Sequence, residues 1–276
     1  LIFKEDIKST FTNLEIYNFF KNNKLIFLFL YEEKILLFDE MIYKRIKQKH
    51  QVTKGVNYFQ PEFKPFIDQK TDEIEIPNNF DENRRIGEND LYICELIRSD
   101  SIDEFQKYLS QNNLPIETKI EPSVFETNSF LIKNQPSLIE YAAFYGSIKV
   151  FKFLLLNDAS LNPMLWMYAI HSMNSDMIHL LESYHIEPED KSYQEIYKES
   201  IKCHHNNIAN YIRENYIHEE IESKFGQNEY SYGFHYHNFD FFPEDFYYHF
   251  NFYYACFYDY LQIVEIILKE KAVDLN

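Results

Sequence analysis

Residues Ser137 to Asn162, "SLIEYAAFYGSIKVFKFLLLNDASLN", constrain the fold more than any other stretch. Ser137 and Glu140 have the S-x-x-E spacing of a capping box, which starts a helix by pairing its free amides. Small Ala142 and Ala143 let that helix approach a neighbour closely, and Gly146 stops it in the left-handed conformation that follows many helix ends. A second helix then buries Ile148, Val150, Phe151, Leu154 and Leu155 at spacings of three and four. The stretch therefore reads as two short antiparallel helices. Such a pair cannot cover its own apolar face, so the chain must supply further pairs to stack on it.

Further pairs are visible. "YACFYDYLQIVEIILKEKAVDLN", from Tyr254 to Asn276, places Ala255 and Cys256 at the small positions and Ile263, Val264, Ile267 and Leu268 on the second helix. The segment opening at Trp166 follows more loosely through Ala169, Met177, Ile178, Leu180 and Leu181, with Asn162 and Pro163 opening its first helix. The segment from Tyr197 is looser again, with Ser200 small and Ile208, Tyr211 and Ile212 buried. Leu91 to Gln111 reads as an opening pair whose second helix starts at Ser101 and Glu104. The small anchors Ala142, Ala169, Ser200 and Ala255 lie 27, 31 and 55 residues apart, so the series is irregular and carries an aromatic-rich insertion at 218–250.

The Ser137 to Asn162 stretch resembles the ankyrin repeat. Ala142 and Ala143 fall on that repeat's alanine pair, Gly146 on its glycine, Val150 and Phe151 on its paired aliphatics, Leu154 and Leu155 on its leucines, and Ala159 and Asn162 on its tail. It departs at Ser137, Leu138, Ile139 and Glu140, where the family has Thr-Pro-Leu-His, and at Asp158, where the family has glycine. From about Arg85 onward the chain also resembles a degenerate module of unknown function at the N-terminal side of ankyrin arrays in protist proteins. The resemblance implies an all-α, ankyrin-type helical-repeat solenoid that binds another protein. It also implies that Phe144, Tyr145, Phe257 and Tyr258 sit where ankyrin repeats carry variable, often ligand-contacting side chains. "KAVDLN" imitates the close of an ankyrin unit, so further units are expected after Asn276.

Composition narrows the function. Forty-four acidic against 27 basic side chains give a net charge of -17, which repels phosphate backbones and anionic membranes. No nucleic-acid partner is expected. The most apolar run, Leu25 to Tyr31, is far shorter than the roughly 20 residues of a membrane span, so no membrane insertion is expected. Cys94, Cys203 and Cys256 are odd in number and far apart, which suits a reducing, cytoplasmic setting.

Upstream, residues 1–49 read as an N-terminal helical cap of three short helices, "TNLEIYNFF", "KLIFLFLYE" and "ILLFDEMIYKRIKQK". In 50–89 the apolar pattern dissolves around Pro61, Pro65 and Pro77, which reads as a linker or wrapping loop. Residues 90–276 form the degenerate solenoid. The cations Lys44, Arg45, Lys47, Lys49 and Lys54 cluster at a helix end, where they favour the helix dipole.

The five glycines are too scattered to cradle a phosphate. His235 and His237 could offer two metal ligands, but nothing nearby has the spacing of a third and fourth. No catalytic, cofactor-binding or metal-binding residue is expected, and no cofactor. Tyr232 to Tyr260 holds sixteen aromatic residues in twenty-nine, an area that must pack on neighbouring units or form a contact surface. The expected function is a non-catalytic protein–protein interaction scaffold. The alternatives are an architectural cap of a longer array, with partner choice made elsewhere in the protein, and a metal-dependent enzyme.

Overall fold

The computed structural model describes residues 4–48, 57–66, 79–188, 192–217, 230–242 and 249–269. Among them the chain is helical, and the only bridge of β type is the isolated pairing of Lys119 with Ser137. The chain divides into two compact bodies, Leu1–Leu96 with Lys107–Leu114 and Thr118–Ser137, and Ile97–Gln106 with Pro115–Glu117 and Leu138–Asn276. The expected division at residue 90 is therefore not one cut. The helices Tyr92–Arg98 and Ile102–Asn112 contribute residues to both bodies.

In the first body, helices Asn13–Phe20, Lys24–Glu32 and Glu40–Gln48 follow a short helix, Lys4–Thr10. Thr12 and Glu15 cap Asn13–Phe20 reciprocally, side chain to backbone in both directions. The third starts later than the sequence suggests. Lys34 takes a left-handed conformation, and Ile35 and Leu36 both donate their amides to Leu30 O, which turns the chain and buries their side chains.

Within the expected linker or wrapping loop at 50–89, the described residues 57–66 and 79–89 include helices that pack into a core. Tyr58, Phe59 and Phe63 are buried in the same core as Ile16, Phe27 and Leu36. Phe27 meets Phe59 edge to face at 5.2 Å, and Phe38 meets Phe63 at 4.8 Å. Arg84 Nη1 donates to both carboxylate oxygens of Glu62 at 2.8 and 2.9 Å. The prolines suggested a loop, yet aromatic side chains spaced along it have too much apolar area to stay in water. Residues 50–56 and 67–78, with Lys54, lie outside the described residues, as does Lys49.

The second body is a succession of helix pairs: Leu138–Tyr145 with Ile148–Leu156, Leu165–Ala169 with Ser175–Ser183, Gln194–Lys202 with Asn206–Tyr216, and His249–Phe257 with Leu261–Lys269. The first helices of the first three pairs pack on one another in turn. Ala142, Ala169, Ser200 and Ala255 are fully buried, the small side chains on which this close approach depends. Second helices bury the expected rows, Val150, Phe151 and Leu154 in one pair and Met177, Ile178 and Leu181 in the next.

One turn geometry recurs between the two helices of a pair. Asp100, Gly146, Met173, His204 and Asp259 all have φ between 48° and 68°, the left-handed residue that ends each first helix. The amide that follows bonds back five residues onto the small anchor: Ser147 to Ala142 O, His205 to Ser200 O and Tyr260 to Ala255 O, at 2.8 to 2.9 Å. Asn238 does the same to Gly233 O at 2.9 Å, with His237 left-handed at φ 55°.

The aromatic segment therefore contains a helix end of the same type, and residues 230–236 are helical. A Cβ on Gly233 would lie 2.5 Å from Phe241 O, so the anchor here has to be glycine. The expected insertion at 218–250 is thus partly a further first helix. Residues 218–229 and 243–248 lie outside the described residues, as does the "KAVDLN" end.

Candidate functional site

The helix ends of the second body are joined by side chains that reach back from one turn to the preceding one. Ser147 Oγ donates to Ile97 O at 2.5 Å, His205 Nδ1 to Ile170 O at 2.6 Å, Asn238 Nδ2 to Ile201 O at 2.8 Å, and Tyr260 Oη to Phe234 O at 3.0 Å. In each case the donor follows the left-handed residue of its own turn, and the acceptor lies three residues before the left-handed residue that ends the preceding first helix. Because the partner is a carbonyl, His205 carries its proton on Nδ1. Asn174 is the exception and donates to Gly146 O at 3.2 Å. The helix before it, Leu165–Ala169, closes in a 3-10 turn, Ile170–Ser172, and the Asn174 amide is taken by Ser172 Oγ instead.

The rings expected to form a binding surface do not share one environment. Phe144 is only 8% exposed and stacks on His171 with ring centroids 4.9 Å apart. Tyr145 is half-buried, against the rings of Tyr141 and Phe144 and below the Arg98 guanidinium. Phe257 is 63% exposed and stacks on the exposed Tyr253, while half-buried Tyr258 meets Phe257 and His235. Phe144 is therefore a packing residue, and Phe257 with Tyr253 is the exposed pair. The sequence could not separate them, since both sites read Phe-Tyr two positions before the turn.

His235 and His237 do not converge on a ligand set. The His237 ring bonds the Tyr260 hydroxyl, and His235 packs on Tyr236 and Tyr258. A different cluster is present. His171, in the turn of the Leu165–Ala169 pair, meets Glu199 and Cys203, four residues apart on and just beyond helix Gln194–Lys202. His171 Nδ1 lies 3.5 Å from Cys203 Sγ, His171 Nε2 lies 3.5 Å from Glu199 Oε1, and Cys203 Sγ lies 4.0 Å from that same oxygen.

Lys202 Nζ donates to both oxygens of Glu199, at 2.8 and 2.9 Å. Burial opposes ionisation of Glu199, but the hydrogen bonds from His171 and Lys202 outweigh it and hold the carboxyl below its usual pKa. Burial, with Glu199 adding to it, pushes the Cys203 thiol up to about 11, so it stands as a neutral S–H.

The same two pairs also meet at Glu182. Tyr211 and Tyr216 each donate a hydroxyl to Glu182 Oε1 at 2.6 Å, and His179 Nδ1 lies 2.9 Å from Oε2. Tyr216 also stacks on Tyr193 at 4.0 Å, and both rings flank the buried Trp166.

The chain matches no protein-family model, no curated protein and no solved structure. No helix among the described residues is long and apolar enough to cross a membrane. What can be said of function rests on the geometry above. Sequence reasoning missed the His171–Glu199–Cys203 cluster because its members come from two pairs and match no ligand spacing. The i, i+4 placement of Glu199 and Cys203 was its one local signal.

Proposed function

We propose that this chain is a non-catalytic, protein-binding scaffold built as an ankyrin-type helical-repeat solenoid. The observation that carries the reading is the recurring helix end, closed onto a small anchor and tied by its next side chain to the carbonyl of the preceding turn. A framework of that kind sets side chains from successive pairs at fixed spacing, which favours binding over catalysis. Phe257 and Tyr253 supply exposed aromatic area of the sort that anchors interfaces. The net charge of -17 steers it toward a protein partner with a cationic surface, rather than nucleic acid. Cys94, Cys203 and Cys256 are not joined in disulfides, which suits a reducing compartment such as the cytosol.

A second reading, an architectural segment of a longer array, is supported by Leu261, Ile266 and Leu268, which are exposed on the helix of the last described pair. Affinity capture with the full chain and with a Tyr253→Ser, Phe257→Ser variant separates the two. The scaffold reading requires a specific partner that the variant loses while its Tm holds. Capture unchanged by the substitution places recognition elsewhere and favours the architectural role.

A further inference from the structure

We infer that His171, Glu199 and Cys203 form a binding site for a borderline-soft divalent cation of the zinc class, which staples two successive helix pairs together. A tetrahedral zinc ion with bonds of about 2.0 to 2.3 Å holds its ligand atoms about 3.3 to 3.8 Å apart. An imidazole offers an ion one nitrogen at a time, and one donor atom from each of the three residues lies within 4.8 Å of the other two. Cys203 Sγ and Glu199 Oε1 are 4.0 Å apart, and the nearest imidazole nitrogen is 3.5 Å from each, Nδ1 from the sulfur and Nε2 from the oxygen. At 3.5 Å from Glu199 Oε1, His171 Nε2 is at the long end of hydrogen bonding, a spacing that an ion held by both atoms also fits.

The donor set is selective. Imidazole, carboxylate and thiolate together favour zinc or cobalt over magnesium and calcium, which take oxygen ligands. His171 and Glu199 are each only 12% exposed at the side chain, so the ion would sit away from bulk water on at least two sides. Neighbours already orient the ligands. The Phe144 ring stacks on the imidazole, and Lys202 grips the carboxylate from its solvent side. Binding converts the Cys203 thiol to a thiolate bonded to the metal and releases its proton to solvent. The fourth coordination position goes to water.

Since His171 belongs to one pair and Glu199 and Cys203 to the next, the ion would resist their separation. Its role is structural, and it adds to the protein-binding reading without depending on it.

The test adds zinc or cobalt to the metal-free full chain. Cobalt should give a thiolate-to-metal charge-transfer band at one equivalent, and free zinc a hundredfold above Kd should raise Tm by about 5 °C. Cys203→Ser should lose the band, whereas Cys256→Ser, at an exposed site, should keep it. In the unaltered protein, alkylation of Cys203 mapped by mass spectrometry should slow at least tenfold with zinc, a readout that needs no variant to fold. Absence of the band, its persistence in a folded Cys203→Ser variant, or alkylation of Cys203 unaffected by zinc would each overturn the site.

Discussion

Ser147 Oγ donates a 2.5 Å hydrogen bond to the carbonyl of Ile97, fifty residues earlier. The Ile97 carbonyl also accepts the amide of Asp100 at 2.9 Å, so Ser147 fills its second lone pair. Carbonyls at a helix end lack intrahelical partners, and here the next helix end supplies one. His205, Asn238 and Tyr260 make the same connection with three different chemistries. What is repeated is the position of a donor rather than a residue type.

Removing that donor should weaken the stack locally. Ser147→Ala and Asn238→Ala are each expected to cost about 1 to 2 kcal/mol, the loss of a buried hydrogen bond whose acceptor keeps one partner. Asn174→Ala should cost at least as much, because besides its 3.2 Å bond to Gly146 O it removes the N-cap of Ser175–Ser183, where Asn174 Oδ1 accepts the Asp176 amide at 3.0 Å. Urea denaturation of the three variants gives the order.

The small anchors should not tolerate enlargement. Ala142→Leu and Ala169→Leu, both fully buried between first helices, are each expected to destabilise by roughly 1 to 3 kcal/mol. Gly233→Ala should fall in the same range of roughly 1 to 3 kcal/mol, since its new methyl would press on the Phe241 carbonyl. Gly146→Ala combines a left-handed backbone with a contact 3.0 Å from Asn174 Cβ, and its cost is read by the same denaturation midpoints.

The aromatic residues should separate by role. Phe144→Ala is expected to cost about 3 kcal/mol or more, as a buried ring stacked on His171. Phe257→Ala, at an exposed ring, should stay within about 0.5 kcal/mol. Thermal melts of both variants check this directly.

Acid should loosen the contact at Glu182. Burial alone would raise the pKa of this carboxyl, but hydrogen bonds from Tyr211, Tyr216 and His179 more than offset that and hold it below its usual value. A depressed folded-state pKa means the unfolded chain binds the proton more readily. The contribution of Glu182 is therefore complete above the ordinary carboxylate pKa and lost as pH falls through the lowered one. Glu182→Gln should flatten the acid limb of a Tm-against-pH profile, and an unchanged profile would count against this contact.

Much of the second body was legible in the sequence, because its signals are local. Ala142, Gly146, Phe151 and Leu154 report helix, stop and buried row within one stretch, and the structure places each as read. The Leu165–Ala169 pair was readable only loosely, since Met173 takes the left-handed position that glycine usually marks. The helix end at Gly233 was hidden by the aromatic residues around it, although Tyr232-Gly233 with Tyr236 parallels Tyr141-Ala142 with Tyr145.

In the first body the core of Tyr58, Phe59 and Phe63 was missed because Pro61 and Pro65 outweighed the apolar spacing. Proline at the first turn of Gln60–Phe63 is compatible with a helix, and that is where it lies. The metal-ligand candidates and the buried state of Phe144 depend on contacts between pairs, which no local pattern encodes.

Successive pairs close on their anchors in one shared way, and native-state hydrogen exchange reads that closure amide by amide. The amides of Ser147, His205, Asn238 and Tyr260 each bond back to Ala142, Ser200, Gly233 and Ala255. All four are expected to be protected and to exchange only when their helix pair opens. Exchange at these amides as fast as in an unstructured peptide, while the helices on either side remain protected, would contradict it.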